Sequence, residues 1–467
     1  MMWLFIIVYL LLQVLIGYLV SRSIRSEEDY FLGGRRLGGL LVSFSLFATW
    51  FGAETCIGSS AAVYERGLSG SRADPFGYSA CLLLLGLLLA GRLWRGQYVT
   101  LADFYRERYG WFVEKLAVWI LVPSSLIWAA AQVRAFAQVL SGTTALPVDI
   151  ALVIVAAFVI AYTCMGGFLG DVITDLIQGV IIFVGVLAIL VFTLANVDDV
   201  GTLLAGIDPA RLDFIDEGET LLQRMDRWMI PILGSLVAQE TISRVLAAKS
   251  MTVARRASFV AAGIYIFMGS IPVLLGLLGP HIMPGLEDTE QFLVLVAKKY
   301  LPPVAFVVFV GALISAILAT IDSILLAVSA MVAHNLLARF LSNKDQKHKV
   351  RAARLVVVAA GLVAYVMAVY GKGIYELLET ASSFGTAGVL VITLVGLYTG
   401  FGKGLSATLA LVAGLVLTPL GNYVLDWQAP FLSSVLGAVI GFVLGRVLSA
   451  SVPALAALER RLTETRS

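Results

Sequence analysis

The chain is divided into long apolar blocks by short charged or Gly/Pro-rich turns. Crossing bilayer hydrocarbon as a helix takes roughly twenty mostly apolar residues. About thirteen blocks approach that length, near residues 2–20, 38–63, 75–91, 113–140, 148–165, 171–195, 228–247, 257–279, 303–336, 351–371, 376–399, 404–420 and 430–449. A helix satisfies its own backbone donors and acceptors, the condition that lipid imposes. The expected fold class is therefore an all-α membrane protein of about thirteen transmembrane helices.

Composition points the same way. Of 467 residues, 59% are hydrophobic and 14% are charged, and the mean hydropathy of +0.92 exceeds the balance of a soluble domain. Lysine and arginine cluster before the second, fourth, eighth and tenth blocks, as Arg22/Arg25/Arg35/Arg36, Arg92/Arg95/Arg106/Arg108, Arg244/Lys249/Arg255/Arg256 and Arg339/Lys344/Lys347/Lys349/Arg351. The longest turn of opposite parity, 196–227, is acidic through Asp198, Asp199, Asp208, Asp213, Asp216, Glu217 and Glu219. Positive charge marks the cytoplasmic side, so the N-terminus is expected outside and the tail with Arg460, Arg461 and Arg466 inside, in a bacterial-type plasma membrane. Met1 to Val20 lacks the basic start of a cleavable signal and reads as a retained helix.

Several function classes drop out. The net charge of +2 comes without a dense basic patch, which sets nucleic acid aside. Cys56, Cys81 and Cys164 lack metal or redox spacing and read as packing residues. His281, His334 and His348 fall near block ends or in loops, and no Ser/His/Asp or zinc-type spacing occurs, so an enzyme is not expected. Nor is a primary pump or a fused nucleotide-binding module after Ser449, because no Walker A sequence is present.

Candidate chemistry lies inside the blocks. In the second, the run from Phe47 to Ser60 mixes small and polar residues around Glu54 and Thr55, and unwinding between Ala48 and Gly52 would turn freed carbonyls toward a cation. In the ninth, Ser315 to Ser323 brings Thr320, Asp322 and Ser323 together, oxygen ligands of the kind a hard cation prefers. Asp171, Asp175 and Gln178 follow one another at helical spacing in the sixth; the two carboxylates fit either a dipole-stabilised helix start or a functional pair. Pro231, Gly234 and Ser235 interrupt the seventh, followed by Gln239, Glu240 and Arg244. Interrupted blocks two and seven stand five apart, the spacing of two five-helix repeats of opposite topology. Gln132 and Arg134, and Ser382, Ser383 and Thr386, either line a cavity or bond backbone carbonyls.

These residues resemble the sodium:solute symporter family, which includes proline and pantothenate permeases and sodium-glucose cotransporters. The likeness runs from Asp29 to about Thr399. It is carried by Tyr30 to Gly38, the Ala48 to Gly58 run, Thr174 to Gly179, Arg244 to Lys249 and Ala316 to Ser323. It implies a five-plus-five inverted-repeat core of the leucine-transporter type. The organisation is then a peripheral helix and loop (1–28), a first repeat (29–195), an extracellular acidic loop (196–227), a second repeat (228–399) and peripheral helices with a tail (400–467).

The resemblance also implies that sodium is co-transported, held by carbonyls of Ala48, Phe51 and Ala316 with hydroxyls of the ninth helix. Thr320 keeps one of the two hydroxyl positions and Ala319 replaces the other. A second cation site of some members maps to Asp175, Asp322 and Ser323. Expected solute-lining residues are Thr55, Phe76, Gly234, Ser235, Gln239 and Ser383. Gly234 and Ser235 stand where sugar carriers place an aromatic gate, which favours a small organic acid, amino acid or similar metabolite over a hexose. Proton coupling through Glu54, Asp175 and Asp322 stays open, as does a sensor that binds solute without moving it.

Overall fold

The computed structural model describes residues 2–144, 146–197, 199–341, 343–371 and 385–451. Among the described residues every regular element is helical, and pairing between extended residues is limited to an isolated bridge between Leu37 and Ala248. Nine helices among the described residues are long and apolar enough to span a membrane, and Gly39–Trp50 and Thr386–Tyr398 are shorter apolar helices.

Helix length divides the chain differently from the apolar blocks. Residues expected as two segments, 148–165 and 171–195, form one helical run, Val148–Ala195, which turns at Gly167 with φ 55° and ψ −169°. An L-residue resists that conformation, and a Cβ there would also stand 2.9 Å from the Tyr30 ring. The run Glu54–Arg95 likewise joins two expected segments through irregular turns between Gly67 and Gly77. The expected second and seventh segments are broken helices, Gly39–Trp50 followed by Glu54–Arg66, and Leu221–Leu233 followed by Gln239–Ala247.

Burial separates centre from periphery. Every residue from Phe309 to Ser329 is buried, because the Pro303–Ser329 helix packs along both Val148–Ala195 and Trp111–Thr144. Met2–Ser21 and Pro430–Ser451 instead expose Leu4, Leu11, Leu436 and Val439, the surface a lipid-facing helix presents.

The two broken helices are tied at one end. Leu37 N–H donates to the Ala247 carbonyl (3.3 Å) and Lys249 N–H to that of Leu37 (3.0 Å). Arg35 reaches the carbonyls of Gln97 (2.8 Å) and Tyr98 (2.9 Å). At the opposite end the acidic loop closes over the helices, with Arg72 bonded to Glu219 (2.6 Å) and Asp216 (2.5 Å).

Candidate functional site

The first break gives the site its frame. Gly52 N–H bonds the Trp50 carbonyl at 2.9 Å and Ala53 N–H donates to Gln132 Oε1 at 3.1 Å, so the carbonyls of Ala48 and Thr49 lose the amides that a continuous helix would supply. Carbonyls released in this way inside a bundle are available to a cation. The break lies directly against the central helix: a Cβ on Gly52 would stand 2.7 Å from Thr320 Oγ1. Thr320 itself bonds the Ala316 carbonyl at 3.1 Å. Ala48, Phe51, Ala316, Ala319 and Thr320 are thus fully buried, and the first break and central helix meet at Gly52 and Thr320.

Beside the break, aromatic side chains from three elements form a corner. Trp50 packs on Tyr78 with ring centroids 5.4 Å apart and on Trp128 at 6.5 Å. Both indoles are oriented by carboxylates, Trp128 Nε1 donating to Glu54 (3.0 Å) and Trp50 Nε1 to Glu240 (3.3 Å). Glu54 also accepts from Gln132 Nε2 at 2.5 Å, which links the corner to the break. Tyr78, Trp128, Gly234, Ser235, Gln239, Glu240 and the neighbouring Ser124, Ser125 and Thr386 line a narrow cavity of about 40 Å³. Among the described residues that line it, Glu240 is the charged member and none is a lysine or arginine. Tyr78 and Glu54 also border a cavity of about 380 Å³ beneath Arg66, Arg72 and Arg227, at the end covered by the acidic loop.

The residues expected to line a solute site are sorted by this geometry. Gly234 and Ser235 border the cavity, in the turn between Leu221–Leu233 and Gln239–Ala247. Gln239 borders it too, although its amide is engaged, accepting from Leu101 N–H (2.8 Å) and donating to Ser243 (2.9 Å). The Thr55 hydroxyl bonds Asp74 (2.7 Å) and contacts the Tyr265 hydroxyl (2.8 Å) behind the corner. Phe76 lies edge-on to Phe214 at 5.2 Å, against the acidic loop, and Tyr78 two residues on faces the cavity. Ser383, with Ser382, lies outside the described residues. Trp50, Tyr78 and Trp128 escape a reading of sequence because they converge from separate elements. Trp119, on the same helix as Trp128, is 67% exposed.

A second polar cluster surrounds Arg244, which is buried. Its guanidinium bonds Asp171 (2.5 Å), Asp175 (3.2 Å), Ser45 (3.0 Å), the Glu240 carbonyl (2.9 Å) and Ser323. Asp322 accepts from Thr163 at 2.6 Å. The resemblance placed a cation among Asp175, Asp322 and Ser323, whereas in the structure Asp175 and Ser323 hold an arginine.

Comparison with known proteins extends over the same elements. The family model described as "Sodium:solute symporter family" matches residues 30–415. The human high affinity choline transporter 1 is 30% identical over 399 residues, 80% of this chain and 68% of that protein. The sodium/pantothenate symporter of Escherichia coli (strain K12) is 26% identical over 352 residues, 72% of each chain. In three dimensions the chain resembles the substrate-bound outward-open state of a Na+-coupled sialic acid symporter, with TM-score 0.83 at 19% identity over 96% of this chain and 98% of that one. The helices, the break against Thr320 and the match over residues 30–415 together show that this integral membrane protein belongs to the sodium:solute symporter family.

Proposed function

We propose that the protein imports a small organic cation in symport with sodium, by alternating access through thirteen membrane crossings with the N-terminus outside. The carrying observation is the corner of Trp50, Tyr78 and Trp128, whose indole N–H groups are pinned by Glu54 and Glu240. Aromatic faces attract an ammonium group by about 0.5–2 kcal/mol each. The flanking carboxylates would repel an organic acid, and the described residues of the lining offer no cationic partner to its carboxylate. This choice departs from the sequence expectation of an organic acid, amino acid or similar metabolite. The name of the human relative, a choline transporter, fits the same chemistry.

Sodium, the co-transported ion, takes the carbonyls of Ala48, Phe51 and Ala316 with the Thr320 hydroxyl, and Ala319 adds no side-chain oxygen. With the ion bound, the broken helix is held against the central one. Gln132 bonds both Ala53 N–H and Glu54, so it transmits the position of the break to Trp128 and the solute corner. Solute entry from the 380 Å³ cavity requires Tyr78 and its neighbours to part, since the inner cavity is narrow.

The test is uptake into proteoliposomes of choline, pantothenate and sialic acid, each with an inward sodium or potassium gradient. Choline accumulation that needs sodium is expected. Replacing Trp50 or Trp128 by alanine should weaken its apparent affinity about 2- to 30-fold. Uptake of an anion in preference to choline, or choline uptake indifferent to sodium, would refute the reading.

A further inference from the structure

We infer that the groove between the Gly39–Trp50 and Met251–Ile282 helices binds an anionic phospholipid, with its phosphate at the basic end of the bundle and an acyl chain along the groove. The site is independent of which solute or ion the protein carries.

The two helices pack on one another, and between them lies a cavity of about 350 Å³. Leu40, Phe44, Val253 and Val260 give it apolar walls. Arg256 is the charged member of its described lining, which includes no acid. Leu40 and Val260 are 63% and 51% exposed, so the groove opens sideways, toward the hydrocarbon around a membrane-spanning bundle. Filling it with an acyl chain gains little by itself, because the chain leaves surroundings that are equally apolar. What selects an occupant is therefore its headgroup.

The polar groups at the mouth favour an anion. Both helices begin there: Gly39 and Thr252 line the groove, and the bond from Lys249 N–H to the Leu37 carbonyl (3.0 Å) holds the two starts side by side. No side chain caps the first helix, and Ser250 caps the second through the Val253 amide alone, at 3.2 Å. First-turn amides of both helices thus remain to be satisfied, the arrangement that suits a phosphate. Arg36, Lys249 and Arg256 are exposed at this end and form no ion pair among the described residues. One turn into the groove, Ser43 is buried, yet it has no hydrogen-bond partner among the described residues. Its hydroxyl is a donor suited to an ester carbonyl. A guanidinium pairs with phosphate through two bonds, and basic residues at a membrane surface attract anionic lipid.

Native mass spectrometry of the purified full chain, titrated in detergent with phosphatidylglycerol or phosphatidylcholine, tests the inference. Wild type is expected to retain one phosphatidylglycerol at concentrations that leave phosphatidylcholine unbound. Arg256→Gln should weaken that retention about 5-fold. Gly39→Leu places a side chain in the groove with no clash at its Cβ, which meets nothing within 4 Å, and should weaken it to a similar degree. Lys347→Gln removes the same charge from an exposed residue outside the groove and should leave retention unchanged. Equal retention of the two lipids, undiminished retention in both groove variants, or an equal loss in Lys347→Gln would overturn the inference. So would displacement of the lipid by millimolar inorganic phosphate, since the site would then recognise the anion alone.

Discussion

Gly52→Ala should weaken sodium while leaving the fold intact. The added Cβ would lie 2.7 Å from Thr320 Oγ1, 2.9 Å from Gln132 Oε1 and 2.9 Å from Glu54 Oε2, whereas carbon–oxygen contacts are comfortable near 3.4 Å. None of the three neighbours retreats freely. Gln132 Oε1 accepts from Ala53 N–H at 3.1 Å, Glu54 is held by Gln132 and Trp128, and Thr320 is bonded to Ala316. The break itself must therefore move off the central helix. Overpacking of this kind costs about 1–3 kcal/mol. If that cost falls on the compact ion-bound state, sodium affinity drops about 5- to 150-fold. Gly58→Ala is the matched control, since a Cβ there meets nothing within 4 Å. The assay is the sodium concentration giving half-maximal uptake in proteoliposomes, checked by direct sodium binding. Unchanged half-saturation in Gly52→Ala, or an equal loss in Gly58→Ala, would refute the reasoning.

Two further outcomes concern what holds the bundle together. His334 contacts Glu27 through Nδ1 (2.8 Å) and Asp103 through Nε2 (3.3 Å), with Lys349 3.8 Å from Glu27 and Asn335 donating to Asp103 at 2.8 Å. Burial acts to raise both carboxyls, but the hydrogen bond and charge of His334 outweigh it and hold them below their ordinary values. Depressed carboxylates contribute stability that is complete above their unfolded values near 4 and is lost as pH falls through the folded ones. His334→Gln should therefore cost about 1–3 kcal/mol near neutral pH, and its gap in melting temperature from wild type should close below pH 4; a constant gap would contradict the pairing. Tyr9→Phe removes a buried bond to Ser315 (2.6 Å) that ties the first helix to the core. It should cost about 0.5–1.5 kcal/mol with the sodium half-saturation unchanged, and a shifted half-saturation would bring the first helix into the transport cycle.

The sequence by itself determined the solvent and the class of chain. Apolar blocks in this number have nowhere to lie but lipid, and lipid admits helices that satisfy their own backbone. It also marked where the helices break, because Gly52, Pro231 and Gly234 are read locally, and five short motifs in order marked the family. What it could not determine depends on contacts between residues far apart in the chain. Helix ends were blurred, since a turn such as Gly167 interrupts the Val148–Ala195 run without a polar gap. Trp50, Tyr78 and Trp128 look like any aromatic residues of a membrane helix until three elements bring them together. Asp175 and Ser323 suit a metal ion as a list of oxygens. The tertiary structure puts a guanidinium between them because Arg244, at the end of a broken helix, is long enough to span the gap to both.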